Sequence, residues 1–295
     1  MSDSSTALRL RIRRFFAKPS KDKLESVKFR LRTLFPAGST TIALPFGAKW
    51  ALENSALDCQ LRSGAFENAE AAFVTRFLRK GMTVLDVGAH HGFYTLLASI
   101  RVGPTGRIFA FEPSPRERQR LVRHIKMNNC KNVRIEPLAV GAAHGTATLF
   151  LVEGAEDYCN SLRPPVTEAQ TIPLAVKVTS LDDYLAIDAI SKVDFLKLDV
   201  EGSELDALKG AVRLLATAPR PVLMVEVYDI RTEPWGYQAR QIVQFLSRAA
   251  YEWFSLRDDG TPQAIEPNKD RYDANLVAVP CERVRFFLDS FGANA

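Results

Sequence analysis

Cysteine is scarce in this chain. Cys59, Cys130, Cys159 and Cys281 are spread over 295 residues with no C-x-x-C spacing. That argues against a zinc ribbon, a thioredoxin-type site and a disulfide scaffold, and it suits a reducing compartment. No apolar run reaches the roughly 18 residues a membrane span needs. The charged N-terminus lacks the apolar stretch of a secretory signal, so a cytoplasmic location is expected. Glycine and proline, 16 each, are too few for a collagenous or low-complexity chain. No internal repeat is visible.

The body of the chain also lacks excess positive charge. The net charge is +5, but residues 1–35 hold ten basic and three acidic side chains, leaving 29 basic against 31 acidic in the rest. A wide phosphate-binding surface is therefore not expected, and neither is a nucleic-acid partner. The basic arm, with Leu8, Ile12, Phe15 and Phe16 on one helical face, reads either as a solvated helical extension or as a weak peripheral contact with an anionic membrane. Residues 36–65 follow as a short β-rich segment around the Phe46-Gly47 turn. Residues 66–285 then form the main domain, with its core at 82–230.

The main domain opens with a helix read over 64–81, where Phe66, Ala69, Phe73, Phe77 and Leu78 recur at helical spacing and Gly81 ends it. The apolar run 82–89 then ends in Asp86-Val-Gly88-Ala-His90-His91-Gly92, followed by the helical FYTLLASI. This is strand, glycine turn, helix, and the helix start offers free N–H groups. The dinucleotide fingerprint G-x-G-x-x-G does not fit, since only Gly88 and Gly92 are present. An acid two positions before the first glycine suits a cationic group such as an α-ammonium or a sulfonium. Glu112 ends the next strand, 24 residues after Gly88, where a carboxylate can accept both hydroxyls of a ribose. Ser114, Pro115 and Glu117 read as the start of a capped helix.

A third strand at NVRIEPLAVG completes a βαβαβ unit, which implies a parallel sheet with its ligand at the carboxyl ends of the strands. In the fourth strand, VDFLKLDVEGSE, Lys197, Asp199 and Glu201 alternate and so share a face. Central parallel strands are normally apolar on both faces. These charges therefore mark either a buried ion-pair network or a catalytic set. Ser203 is expected to cap the helix that follows. A fifth strand carries Glu226, Tyr228 and Asp229. YEWFSLRD and ANLVAVP read as an antiparallel pair closing the sheet edge. The fold expected is α/β, a doubly wound Rossmann-like sheet with one antiparallel edge strand. The long stretch 142–192 is expected to add a strand pair, with Asn160 and Ser161 in the loop between. His124 and His144 read as surface residues.

DVGAHHGFYT, FEPS, LAVG, SLDDYL, VDFLKLDVEGSE and LMVEV, in this order, resemble the FkbM-type S-adenosylmethionine-dependent methyltransferases over roughly residues 66–230. The resemblance implies a class I methyltransferase fold, S-adenosylmethionine as cofactor, and methylation of a hydroxyl on a sugar, glycan or secondary-metabolite acceptor. It assigns cofactor contact to Asp86, Gly88, His90, Gly92, Tyr94, Thr95, Glu112, Pro113, Ser114, Ala139, Val140 and Ser161. The family commonly has Asn where this chain has His90. Paired His90-His91 also permits a metal reading, which ranks below cofactor contact.

A hydroxyl acceptor must lose its proton, so a general base helps. Asp199 and Glu201 lead as base candidates, with Lys197 beside them. Asp199, Glu201 and Glu226 could instead hold a divalent cation, but the metal-free base ranks first and no resident metal is expected. Two other readings stand: a nicotinamide oxidoreductase, disfavoured by the missing third glycine, and a non-catalytic cofactor-binding module, disfavoured because Asp86, Glu112 and Asp199 are all present.

Overall fold

The computed structural model describes residues 41–53, 55–154, 159–165 and 167–292. The basic arm lies outside the described residues. The chain opens with the hairpin β1 (Thr41–Ala43) and β2 (Lys49–Ala51), then α1 (Ala56–Ser63) and α2 (Asn68–Phe77). Next come β3 (Thr83–Val87), α3 (Phe93–Val102), β4 (Arg107–Phe111), α4 (Pro115–Met127) and β5 (Val133–Glu136). A small sheet is built from β6 (Ala139–Val140), β7 (Gly145–Val152) and β8 (Thr171–Thr179). Then follow α5 (Leu181–Ile187), β9 (Phe195–Leu198), α6 (Glu204–Lys209), α7 (Val212–Ala216) and β10 (Val222–Tyr228). The chain continues through α8 (Asp229–Thr232), α9 (Arg240–Arg248), β11 (Tyr251–Leu256), β12 (Pro262–Ile265), β13 (Asp273–Pro280) and α10 (Val284–Asp289). No helix among the described residues is long and apolar enough to cross a membrane.

The main sheet has the order β12-β11-β13-β10-β9-β3-β4-β5. The pairs from β5 through β10 are parallel, and β13 pairs antiparallel with both β10 and β11. This is the expected doubly wound class I topology. Two strands run against the others rather than one: β12 at the edge, and β13 inside it, between β10 and β11.

Alternation along the buried strands divides the core into two faces. Leu85, Leu196 and Leu223 pack with Leu181 of α5 and Ile242 of α9 on one face. Val84, Phe195 and Met224 pack with Phe73 of α2 and Leu96 of α3 on the other. By the same alternation Asp86 and Lys197, Cα partners across β3 and β9, fall on the α2–α3 face. A buried carboxylate and a buried ammonium thus stand on adjacent central strands, where an unpaired charge would be costly.

Several expectations are corrected. Residues 56–63, placed in a β-rich segment, form α1. Ser55 Oγ accepts from the Asp58 N–H and the Asp58 carboxylate accepts from the Ser55 N–H, a capping box that starts a helix. The segment also packs into the body, with Trp50 and Leu57 in the same cluster as α3. The helix expected at 64–81 begins only at Asn68 and ends at Phe77. His124, read as a surface residue, is buried. Its Nδ1 donates to the His91 carbonyl at 2.7 Å and its ring stacks on Trp50 at 3.8 Å. Ser203 makes no side-chain cap bond. The Glu204 carboxylate instead accepts from the Val200 and Gly202 N–H groups. The extra strand pair in 142–192 is present as β7 and β8, antiparallel through Gly145↔Val178 to Val152↔Thr171.

One close contact sets the spacing of the two central turns. Gly88 has φ +84, and a Cβ there would stand 1.8 Å from the Asp199 carbonyl oxygen. Gly88→Ala is therefore expected to destabilise the chain by at least about 2 kcal/mol in urea unfolding. A variant within about 0.5 kcal/mol of wild type would show that β3 and β9 can part without cost.

Candidate active site

The carboxyl ends of β3, β4, β9 and β10 open into a cavity of about 330 Å³. The turn after β3 forms its centre. Gly88 and Ala89 both donate their N–H to the Phe111 carbonyl, at 3.1 and 3.0 Å. His90 follows with φ +50. This left-handed conformation is one that Asn and His adopt more readily than most residues, which gives a backbone reason for either at this position. Gly92 has φ +94, and a Cβ there would come within 2.4 Å of Leu121 Cδ1. It lets α3 start against α4.

Glu112 fastens this turn to the end of β4. Its Oε2 accepts from the His90 N–H and its Oε1 from the Ser114 N–H, both at 2.8 Å. Ser114 Oγ in turn accepts from the Glu117 N–H at 3.3 Å and caps α4. Burial pushes the Glu112 carboxyl up to about 8, against the lowering effect of the Ser114 N–H.

Beneath the turn, Thr95 Oγ1 donates to Asp86 Oδ2 at 2.5 Å. Asp86 Oδ1 is buried without a hydrogen-bond partner among the described residues, and burial raises this carboxyl although Lys197 opposes the shift. Lys197 Nζ lies 2.8 Å from Asp199 Oδ2 and 5.1 Å from the centre of the Tyr94 ring. Burial alone would lower the Lys197 ammonium. The carboxylates of Asp199, Asp86 and Glu67 outweigh it and hold the lysine charged. Tyr94 Oη donates to Glu67 Oε2 at 2.5 Å.

The second junction, after β9, carries a different network. Glu201 has φ +53, so the alternation expected from Lys197 and Asp199 does not continue to it. Its carboxylate lies 2.9 Å from Arg231 Nε, with Glu226 Oε1 at 4.0 Å from the same atom. Burial raises the Glu201 carboxyl to about 8 despite Arg231, and raises Glu226 further through burial and its acidic neighbours. Ser161 Oγ donates to the Glu201 carbonyl at 2.8 Å. This joins the loop between β7 and β8 to the junction.

Among the described residues two groups are spaced to hold an ion: His90 with His91 and Glu117, and Asp199 with Glu201 and Glu226. A cation of the protein already stands in each. Arg120 Nη1 lies 2.8 Å from His91 Nε2, and Arg231 Nε lies 2.9 Å from Glu201. Glu117 also takes Arg116 Nε at 2.5 Å and His91 Nε2 at 2.6 Å. Burial would raise the Glu117 carboxyl, but His91, His90 and Arg116 bring it down to about 2. The His90 imidazole, half-buried and stacked on His91, is held well below its usual range by desolvation and so is neutral at pH 7.

Of the residues singled out in the sequence, Gly88, His90, Tyr94, Glu112, Pro113, Ala139, Val140, Lys197, Asp199 and Glu201 line the cavity. Asp86, Gly92, Thr95, Ser114 and Ser161 stand behind its wall and hold those that do, through the contacts above. Glu67 and Arg231 line the cavity without having been singled out. Glu67 lies before α2, outside the strand ends that the sequence marks. Arg231 sits in α8, a four-residue helix too short to leave a periodic pattern. Asn160 donates through Nδ2 to Glu117 Oε1 at 3.2 Å, which ties the same β7–β8 loop to α4.

A glycine turn, a carboxylate at the next strand end and a charged fourth strand thus meet at one cavity on this strand order. The profile of the methyltransferase FkbM domain matches residues 86–253, and the chain belongs to the FkbM methyltransferase family. It is 29% identical over 147 residues to "Methyltransferase 1" of Beauveria bassiana, covering 43% of this chain and 57% of that protein. It is 25% identical over 144 residues to the 2-O-methyltransferase NoeI of Sinorhizobium fredii, covering 45% of this chain and 58% of the relative. It is also 25% identical over 164 residues to the hexuronic acid methyltransferase AglP of Haloferax volcanii, covering 56% and 61%. The chain thus spans somewhat over half the length of these relatives. A crystal structure of methyltransferase FkbM from Methylobacillus flagellatus aligns at 19% identity and a TM-score of 0.42, covering 78% of this chain and 56% of that one.

The raised Glu112 carboxyl has a consequence for stability. The folded chain holds a proton on Glu112 up to about pH 8, whereas the unfolded carboxyl releases it near 4.5. The contribution of this group therefore falls as pH rises between those values, by up to about 1.4 kcal/mol per pH unit. Without ligand, Glu112→Gln is expected to gain stability relative to wild type from pH 5 to pH 8.5 in parallel urea titrations. A constant difference across that range would show that Glu112 is not raised.

Proposed function

We propose that this chain transfers a methyl group from S-adenosylmethionine to a hydroxyl of a sugar or sugar-like acceptor. Family membership supports methyl transfer, and the names of NoeI and AglP support a sugar oxygen as its destination. The single observation that carries the cofactor reading is Glu112. A buried carboxylate at the end of β4 is anchored by two backbone N–H groups and faces the cavity. Its remaining lone pairs suit the two hydroxyls of a ribose.

The residues fit that cofactor. Pro113, Leu138, Ala139 and Val140 give the β4 side of the cavity an apolar wall for a base. The Gly88-Ala89-His90 turn supplies close backbone approach beside it. The Asp199 carboxylate suits a sulfonium on the β9–β10 side. When bound, the cofactor supplies an electrophilic methyl carbon whose bond to sulfur breaks as the bond to the acceptor oxygen forms, leaving a neutral thioether.

The chain's own residues must align the acceptor and remove its proton. Asp199 is the proposed base. It lines the cavity, and Lys197 holds one of its oxygens at 2.8 Å, which fixes the carboxylate with its other oxygen open to the acceptor. Glu201 is less suited, because Arg231 holds it and its raised carboxyl is largely protonated at neutral pH. No nucleic acid is proposed as partner. The contact of the basic arm with anionic membranes stays a proposal for residues outside the described structure.

Two measurements test this reading. S-adenosylmethionine or its demethylated product should bind in calorimetry and NAD should not. Binding of NAD alone would overturn the cofactor assignment. Asp199→Asn should keep cofactor affinity within a few-fold while methyl transfer from labelled cofactor into sugar-containing cell extract falls about 10²–10⁴-fold. Unchanged transfer would remove Asp199 as the base.

A further inference from the structure

Among the described residues, the half of the cavity over β9 and β10 has no cation to spare. Four carboxyl groups line it, Glu67, Asp199, Glu201 and Glu226, against two cations, Lys197 and Arg231. Both cations are matched. Lys197 Nζ is 2.8 Å from Asp199, and Arg231 Nε is 2.9 Å from Glu201 and 4.0 Å from Glu226. A ligand carboxylate entering here could gain a cation only by taking it from an existing partner. Separating such a pair strands a charge away from water. The newcomer would also stand beside the Asp199 carboxylate, a like charge of the kind by which binding sites reject wrong partners.

A hydroxyl meets the opposite situation, because it can donate to a carboxyl oxygen, charged or neutral, without separating an ion pair. Glu226 Oε2 is buried and has no hydrogen-bond partner among the described residues. Glu67 is built for the same purpose. It occupies the N-cap of α2 with φ +40 and makes no side-chain cap bond. Ser, Thr, Asp or Asn would be the usual residue at a helix start, and a left-handed backbone is uncommon for Glu. The side chain instead lines the cavity, and Tyr94 Oη fixes its Oε2 at 2.5 Å. Among the described residues no donor meets its Oε1. Phe66, Tyr94 and Tyr228 add aromatic surface around it, of the kind that packs against the C–H face of a sugar ring.

We infer that this half of the cavity takes an uncharged sugar or polyol, rejects a carboxylate-bearing one, and uses Glu67 to accept a hydrogen bond from an acceptor hydroxyl. The inference rests on the methyl-transfer reading above and narrows its acceptor. It sets the chain apart from a relative whose name specifies a hexuronic acid. Glu67 is a specificity-determining residue in this account, and Asp199 keeps the role of base.

The test uses the full chain and matched ligand pairs. Methyl glycosides of glucose, galactose and mannose are each compared with the corresponding methyl uronate by saturation-transfer NMR. The series is run with and without S-adenosylhomocysteine, so loss of nucleoside binding, which would count against the methyl-transfer reading, is seen separately from the charge preference. At least one neutral glycoside should bind, and at least about tenfold more tightly than its uronate. Glu67→Gln should weaken that glycoside about fivefold or more while leaving S-adenosylhomocysteine affinity in place. If Glu67→Gln does not fold, Tyr94→Phe, which removes only the hydroxyl that fixes Glu67, should give the same selective loss. Equal or tighter binding of a uronate overturns the inference, as does failure of every neutral glycoside to bind. A folded variant that keeps full glycoside affinity overturns the role of Glu67.

Discussion

The site depends on one carboxylate shared between two backbones. Glu112 accepts from the His90 N–H on one side and the Ser114 N–H on the other, so the turn after β3 and the start of α4 are held as a unit. Each N–H would otherwise be an unmet donor at a buried turn, and leaving such a donor unmet costs about 1–3 kcal/mol. The geometry of the turn follows from this. His90 is held in a left-handed conformation, Gly92 lets α3 pack against Leu121, and the cavity opens between the two strand ends. The same carboxylate has lone pairs left over, so the group that organises the site can also receive a ligand.

A second constraint is the placing of charge on strands that are otherwise apolar on both faces. Asp86 and Lys197 are partners across β3 and β9, and Lys197 closes onto Asp199. Pairs of this kind add little net stability when buried, and their effect here is positional. They fix the floor of the cavity beneath Tyr94. The ring of Tyr94 lies under the lysine, and its hydroxyl reaches Glu67. The two halves of the cavity are therefore chemically distinct. The β4 side is apolar around one anchored carboxylate, and the β9–β10 side is acidic with its cations already engaged.

Much of this was legible in the sequence because it is local. Strand, glycine turn and helix at 82–102 leave a contiguous pattern, and Ser114-Pro115 announces α4 within a few residues. The extra strand pair could be read from the length of 142–192 and its two alternating runs. What escaped was set by contacts across the chain or by chemistry within three residues that was passed over. Ser55 and Asp58 form a capping box inside a segment read as β because of its apolar, turn-rich character. His124 is buried because Trp50, 74 positions earlier in the sequence, stacks on it and the His91 carbonyl takes its proton donor. Glu67 sits at a helix start and enters the site only through Tyr94. Glu201 leaves the alternation of its strand because its backbone turns left-handed after β9 ends.

The central claim is that Glu112 waits in the site as a largely protonated, buried acid and becomes charged when ribose hydroxyls donate to it. Calorimetric titration of S-adenosylhomocysteine at pH 7 in two buffers of different ionisation enthalpy measures the protons exchanged on binding. Hydrogen bonds to the charged form lower a raised carboxyl, so wild type should release about one proton more than Glu112→Gln on binding the nucleoside. Tight binding with the same proton release in both would contradict the account and place the ribose elsewhere.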